Sequence, residues 1–135
     1  MTGSGSKLDW AKWILGASLV ATVIHYTDNY INIADYPQPE FIDHKVVVIA
    51  WLAFTLFGIL GYLLLTRGQT FVAGLAFLVY SYTALSSLGH YKFGSMAVFT
   101  PKMHLFIWMD ALTGAAVLGL AIWCLSDLRK PISVV

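Results

Sequence analysis

The chain has 135 residues, 59% of them apolar and 11% charged, with a mean hydropathy of +0.74. A soluble domain covers its surface with about 25% charged residues; this chain cannot, so its solvent is lipid, and the same apolar content excludes disorder. Eight Lys/Arg against seven Asp/Glu give a net charge of +1, and no basic run is present to hold phosphates, which excludes a nucleic-acid partner.

A membrane-crossing helix needs about 20 mostly apolar residues. Residues 1–9, rich in Gly and Ser at the start, are expected to be loose. The first span is predicted over about 10–27. A cleaved signal peptide is the competing reading. No small-x-small site precedes the polar stretch His25 to Asn29, and Trp10 and Trp13 interrupt the start, so the span reads as a retained anchor. Tyr36-Pro37-Gln38-Pro39 predicts a stiff, extended link. Pro39 is expected to be the first residue of a helix, with Glu40 and Asp43 in the turn where the macrodipole favours negative charge.

The second span is predicted over about 45–66. Thr66-Arg67-Gly68-Gln69 reads as a tight turn with Gly68 at the helix C-cap. A third span over 70–90 then forms an antiparallel hairpin with the second. Thr100 as N-cap and Pro101 as first helical residue announce the fourth span, over 102–126. Between His104 and Leu125 its one charge is Asp110. The single cysteine, Cys124, excludes an internal disulfide framework and reads as packing. Arg129, Lys130 and Pro131 predict the end of this helix and leave 131–135 as a tail. The expected fold class is all-α: an integral membrane four-helix bundle with antiparallel, up-down spans and short loops.

An even number of spans puts both termini on one side. That side holds Lys7, Lys12, Arg67, Arg129 and Lys130; the other holds Lys45, Lys92 and Lys102. The bias predicts cytoplasmic termini. Trp10, Trp13 and Trp123 at one edge and Tyr26, Tyr30, Tyr36 and Tyr91 at the other fit two interfacial aromatic belts.

All four histidines fall at the extracytoplasmic end. His25 closes the first span, His44 opens the second, His90 closes the third and His104 opens the fourth. Helical spacing groups Ser18, Thr22, His25 and Asn29 on one face, with Asp28 beside it. His44, Val48, Trp51, Thr55 and Gly58 form a second stripe. Thr83, Ser86, Ser87 and His90 form a third, and Asp110, Thr113 and Gly114 a fourth. Small and polar residues face the interior of a membrane bundle, where they let helices pack closely and find polar partners. The glycine pairs Gly58/Gly61 and Gly114/Gly119 are expected to serve the same close approach. Each single histidine has a plain reading as an interfacial polar tip. A faint helix–loop–helix likeness relates His25-Tyr26 to His90-Tyr91, and Pro39/His44 to Pro101/His104.

Asp110 is the most diagnostic residue. It lies about 9 Å inside its helix at 1.5 Å per residue. A carboxylate there costs several kcal/mol unless it is protonated, paired, ion-bound or hydrated.

The first expectation is a transition-metal site (Zn, Cu or Fe) built from His25, Asp28, His44, His90 and Asp110, with His104 in reserve. Haem between two histidines is a lesser variant, because the histidines sit at helix ends. The second expectation is binding or acid–base conversion of a small amphipathic molecule in the outer leaflet. The third is an accessory subunit of a larger membrane complex. A homo-oligomer is compatible with each, since four helices enclose little by themselves. A working histidine site is expected to change its ligand occupancy between about pH 5 and 8.

Overall fold

The computed structural model describes residues 3–126, with side chains from Lys7 onward. The expected helix stop at Arg129, Lys130 and Pro131 and the tail 131–135 lie outside the described residues, as do Met1 and Thr2. Among the described residues there are four α-helices and no strand: α1 (Gly3–Ile31), α2 (His44–Thr66), α3 (Thr70–Leu85) and α4 (Pro101–Ser126). α3 is prolonged by a 3-10 segment, Ser86–Lys92, and a short 3-10 turn, Met96–Val98, precedes α4. Three helical stretches are long and apolar enough to cross a membrane: α2, α3 with its 3-10 extension (Thr70–Lys92), and α4. α1 is long enough, at 29 residues, but its polar face and the Lys7, Asp9 and Lys12 of its first turns lower its hydropathy.

Each helix packs against its chain neighbour, and α1 closes the ring against α4. Both ends of the described chain therefore meet at one end of the bundle. There Lys7 is buried: its Nζ donates to the Trp123 carbonyl at 3.2 Å and lies 4.8 Å from the centre of the Trp123 ring. A cation against the last carbonyls of α4 complements the helix dipole. All four histidines lie toward the other end, as the alternation of helix ends requires.

The helix boundaries follow local chemistry, with three departures from the sequence expectation. α1 starts at Gly3, so the segment expected to be loose is helical from there. α2 starts at His44, not Pro39: the Asp43 carboxylate accepts from the Val46 N–H at 2.9 Å and acts as N-cap, while Pro39 heads only a single turn. The third helix is not α-helical through residue 90. Ser86 Oγ donates back to the Thr83 carbonyl at 2.8 Å and Ser87 Oγ to the Ala84 carbonyl at 2.6 Å. This back-bonding loads carbonyls at the point where the helix tightens to 3-10 geometry.

Other local readings hold. Thr100 Oγ1 accepts from the Met103 N–H at 3.3 Å at the start of α4. The turn after α2 is a Schellman closure: Gly68 N–H reaches Leu65 O at 3.0 Å and Gln69 N–H reaches Leu64 O at 2.9 Å. Gly68 has φ +76°, one residue past the cap at Arg67, in the left-handed region where a Cβ would be strained.

The bundle is apolar outside and partly polar inside. Leu19, Leu52, Leu56, Leu75 and Leu112 are exposed, whereas Ser18, Thr22, His25, Asn29, Thr83, Ser87 and Asp110 are buried. The predicted stripe of α2 is split: Trp51 Nε1 donates to Thr22 Oγ1 at 3.2 Å, Thr55 Oγ1 and Gly58 are buried, and His44 and Val48 face outward; Val47, Gly61 and Leu65 are buried as well. Glycine sets the helix spacing at four places, one of them Gly74, where a Cβ would sit 2.9 Å from the Leu125 side chain. A Cβ on Gly61 would sit 2.6 Å from the Phe77 ring, one on Gly58 2.9 Å from the Tyr80 ring, and one on Gly114 2.7 Å from the Ala84 Cβ. Gly119, expected to share this role, faces open space.

Gly114→Ala must push against both Ala84 and the Leu85 backbone nitrogen, 3.0 Å from the added carbon. It is expected to destabilise the bundle by about 1–3 kcal/mol, the usual cost of overpacking. Gly119→Ala, with nothing to meet, is expected to be neutral or stabilising by up to about 1 kcal/mol from helix propensity. Denaturant titration in detergent separates the two.

Candidate functional site

The polar face of α1 turns into the bundle as its spacing requires, and α4 presents Asp110 to it. His25 Nδ1 and Asp110 Oδ2 are 2.9 Å apart, with side-chain exposures of 3% and 0%. Of the four fates open to a carboxylate at this depth, Asp110 takes pairing. The other two polar atoms of the couple, His25 Nε2 and Asp110 Oδ1, are buried without a protein partner. Thr113, one turn along, uses its hydroxyl on the Asp110 carbonyl at 2.9 Å and leaves the carboxylate to His25.

His90 stands beside this couple, its ring centre 5.5 Å from that of His25. The 3-10 segment carries it there. Its Nδ1 lies 2.9 Å from the Pro37 carbonyl. A carbonyl only accepts, so Nδ1 bears the hydrogen and Nε2 accepts from Asn29 Nδ2 at 3.2 Å. Asn29 Nδ2 also donates to Gln38 Oε1 at 3.2 Å, and Gln38 Nε2 to the Ile42 carbonyl at 3.2 Å. Tyr36 completes the wall, buried, with its ring 5.9 Å from His25 and 5.0 Å from His90. The link 36–39 is thus a structural part of the site. Tyr36, Pro37 and Gln38 were absent from the expected site residues; the paired prolines signalled a stiff link, but nothing local told where it would lie.

The remaining expected ligands stand elsewhere. Asp28, one turn from His25, accepts from Lys102 Nζ at 2.6 Å, from the Tyr36 hydroxyl at 2.7 Å and from Asn32 Nδ2 at 2.9 Å. It ties α1 to α4 and pins the link. His44 is exposed and meets only the Tyr30 ring edge-on at 4.8 Å. His104 shares a 2.7 Å hydrogen bond with the Tyr91 hydroxyl and stacks on its ring, turned away from Asp110. The expected set His25, Asp28, His44, His90, Asp110 does not converge. Among the described residues no three His, Cys, Asp or Glu side chains form a group able to hold a metal ion. His90, the histidine beside His25, already has both ring nitrogens engaged.

A pocket of about 450 Å³ opens against this site, between α1, α2, the link and the 3-10 segment. His25, Asn29, Gln38 and His90 line its polar part; Phe41, Val46, Ala50, Phe54 and Tyr82 line its apolar part. The volume lies within the range of small-molecule sites. No known family model, curated protein or solved structure matches this chain.

Two outcomes follow from the pairings. Removing one member of the buried couple leaves the other without its partner. His25→Leu or Asp110→Leu alone is expected to cost about 3–5 kcal/mol, and the double replacement less than the sum of the two; a double-mutant cycle on unfolding in detergent reads this directly.

The second concerns Asp28. Partial burial pushes its carboxyl up, but the hydrogen bonds from Lys102, Tyr36 and Asn32 and the Lys102 charge outweigh this and hold it below its ordinary value. The folded chain therefore binds this proton less readily than the unfolded one. The stabilisation is complete above about pH 3.9 and is lost as the pH falls through the lower folded value. Lys102 is half exposed, so the effect is local rather than global. Backbone hydrogen exchange over 32–43 is expected to speed up only below about pH 4, and Asp28→Asn is expected to bring the faster exchange to neutral pH.

Proposed function

We propose that this chain is a four-span integral membrane protein, with α1 as the fourth crossing and both termini cytoplasmic. At its extracytoplasmic end it binds a small amphipathic molecule and has the means to move a proton to or from it. The exposed apolar side chains of all four helices support the membrane reading, and the Lys/Arg bias supports the orientation. The observation that carries the functional reading is His25 Nε2: buried, unpartnered and on a residue that lines the pocket, while Nδ1 of the same ring is held by Asp110.

The chemistry follows from that arrangement. Asp110 fixes the ring's orientation and tautomer through Nδ1–H, which leaves the Nε2 lone pair for a ligand. A proton taken there creates an imidazolium whose charge Asp110 balances, as a general base requires. The mixed lining suits a ligand with an apolar body and one polar end. A metal is the weaker reading, because the ligand set does not assemble around His25.

The test is extraction of the lipids and small molecules retained by protein purified in mild detergent, followed by mass spectrometry. A defined amphiphile at near-stoichiometric amount is expected in the wild type, reduced by at least about tenfold in His25→Gln, which tenfold corresponds to about 1.4 kcal/mol. Equal retention in the variant would sink the proposal.

A further inference from the structure

The hydrogen-bond inventory of the pocket limits what its polar end can accept. Asn29 spends its amide nitrogen on Gln38 and His90. His90 spends Nδ1–H on Pro37. The Ser86 and Ser87 hydroxyls donate to the carbonyls of Thr83 and Ala84. The buried unpartnered atoms among the described residues are His25 Nε2, Asn29 Oδ1, Asp110 Oδ1, Thr55 Oγ1 and Thr83 Oγ1, and of these residues only His25 and Asn29 line the pocket. Asn29 Oδ1 is an amide oxygen that only accepts. With Nδ1–H given to the Asp110 carboxylate, Nε2 of the neutral ring is an acceptor as well. A second proton on the ring would create a buried N–H facing no acceptor, which is the costlier arrangement.

We infer that the ligand's polar end is a hydrogen-bond donor without negative charge: the hydroxyl of an alcohol or the nitrogen of an amine, on a single apolar chain. This rests on the pocket being a binding site, as proposed above. A carboxylate or phosphate would bring oxygens to face His25 Nε2 and Asn29 Oδ1, and a lone-pair-only group such as an ether would leave both unsatisfied. An anionic end is also disfavoured by the buried Asp110 carboxylate, which the neutral His25 ring meets as a hydrogen-bond donor; Lys102 is committed to Asp28, and Lys92, which also lines the pocket, is exposed rather than buried beside it. Either donor would pair with Nε2, so this selection and the proton transfer use one atom.

The experiment uses the full chain in mild detergent with endogenous lipid exchanged out. Four probes with the same sixteen-carbon chain are titrated at equal mole fraction: hexadecanol, hexadecylamine, hexadecanoate and methyl hexadecyl ether. Thermal stabilisation gives an apparent affinity for each. The alcohol, the amine or both are expected to bind at least about tenfold more tightly than the carboxylate and the ether. Preference for the alcohol identifies an uncharged head, and preference for the amine identifies an ammonium that neutralises Asp110.

Ala50→Trp fills the apolar part of the pocket without touching the polar residues. It is expected to abolish the response to every probe, and an unchanged response there would place the binding elsewhere and overturn the inference. Equal or tighter binding of the carboxylate or the ether would overturn the donor rule while leaving the pocket as a site. Binding of none of the four would remove the pocket reading itself.

Discussion

The His25–Asp110 pair is the constraint on which the histidine-bearing half of the bundle is organised. A carboxylate and an imidazole, both removed from solvent, hold each other only if α1 and α4 keep one rotation and one axial offset. Breaking such a pair is expensive because the surviving partner is left in an apolar surrounding. Small residues make the offset possible. Gly114, one turn beyond Asp110, lets α4 approach the Ala84–Leu85 backbone, and Ser87, on the same side of α3, reaches the Ile107 carbonyl of α4 at 3.2 Å.

A second layer of polar contacts surrounds that pair and gives it an asymmetric environment. The change to 3-10 geometry at Ser86 brings His90 next to His25, and the Pro37 carbonyl and Asn29 then fix which nitrogen of His90 carries the hydrogen. Tyr36 links this layer to the outer ion pair: its ring packs on both histidines while its hydroxyl holds Asp28, which in turn holds Lys102. The rim is charged and partly wet, and the interior is neutral apart from the His25–Asp110 couple. Polar groups inside a membrane bundle are costly, and they persist where they serve one another or a ligand. Here nearly all serve one another. The exceptions are His25 Nε2, Asn29 Oδ1, Asp110 Oδ1, Thr55 Oγ1 and Thr83 Oγ1, and the first two belong to residues that line the pocket.

Much of the fold was legible in the chain. The hairpin turn with Gly68, the Thr100 cap and the inward face of α1 all came from local rules, while pairing was one of four fates left open for Asp110. So did the grouping of histidines at one end. The candidate site was legible only in part. His25, His90 and Asp110 were rightly singled out as interior residues, but His44, His104 and Asp28 shared the same end and the same residue types and went elsewhere. His44 stands exposed in the first turn of α2, beside the Asp43 cap. His104 found Tyr91, and Asp28 found Lys102, a residue 74 positions away in the chain. Residue type and helical spacing do not distinguish these outcomes.

Composition, spacing and caps by themselves determined that this is a helical, apolar chain, where its helices turn, and which end carries its histidines. Those features depend on contacts within about one or two helical turns, and the chain specifies them wherever it folds. The tertiary structure alone decided which histidine meets the carboxylate, that the Tyr36–Pro39 link becomes a wall of the site, and which polar atoms are left over. Those outcomes depend on the rotation and offset of four helices at once, set by glycine contacts and long-range pairs that no single segment contains.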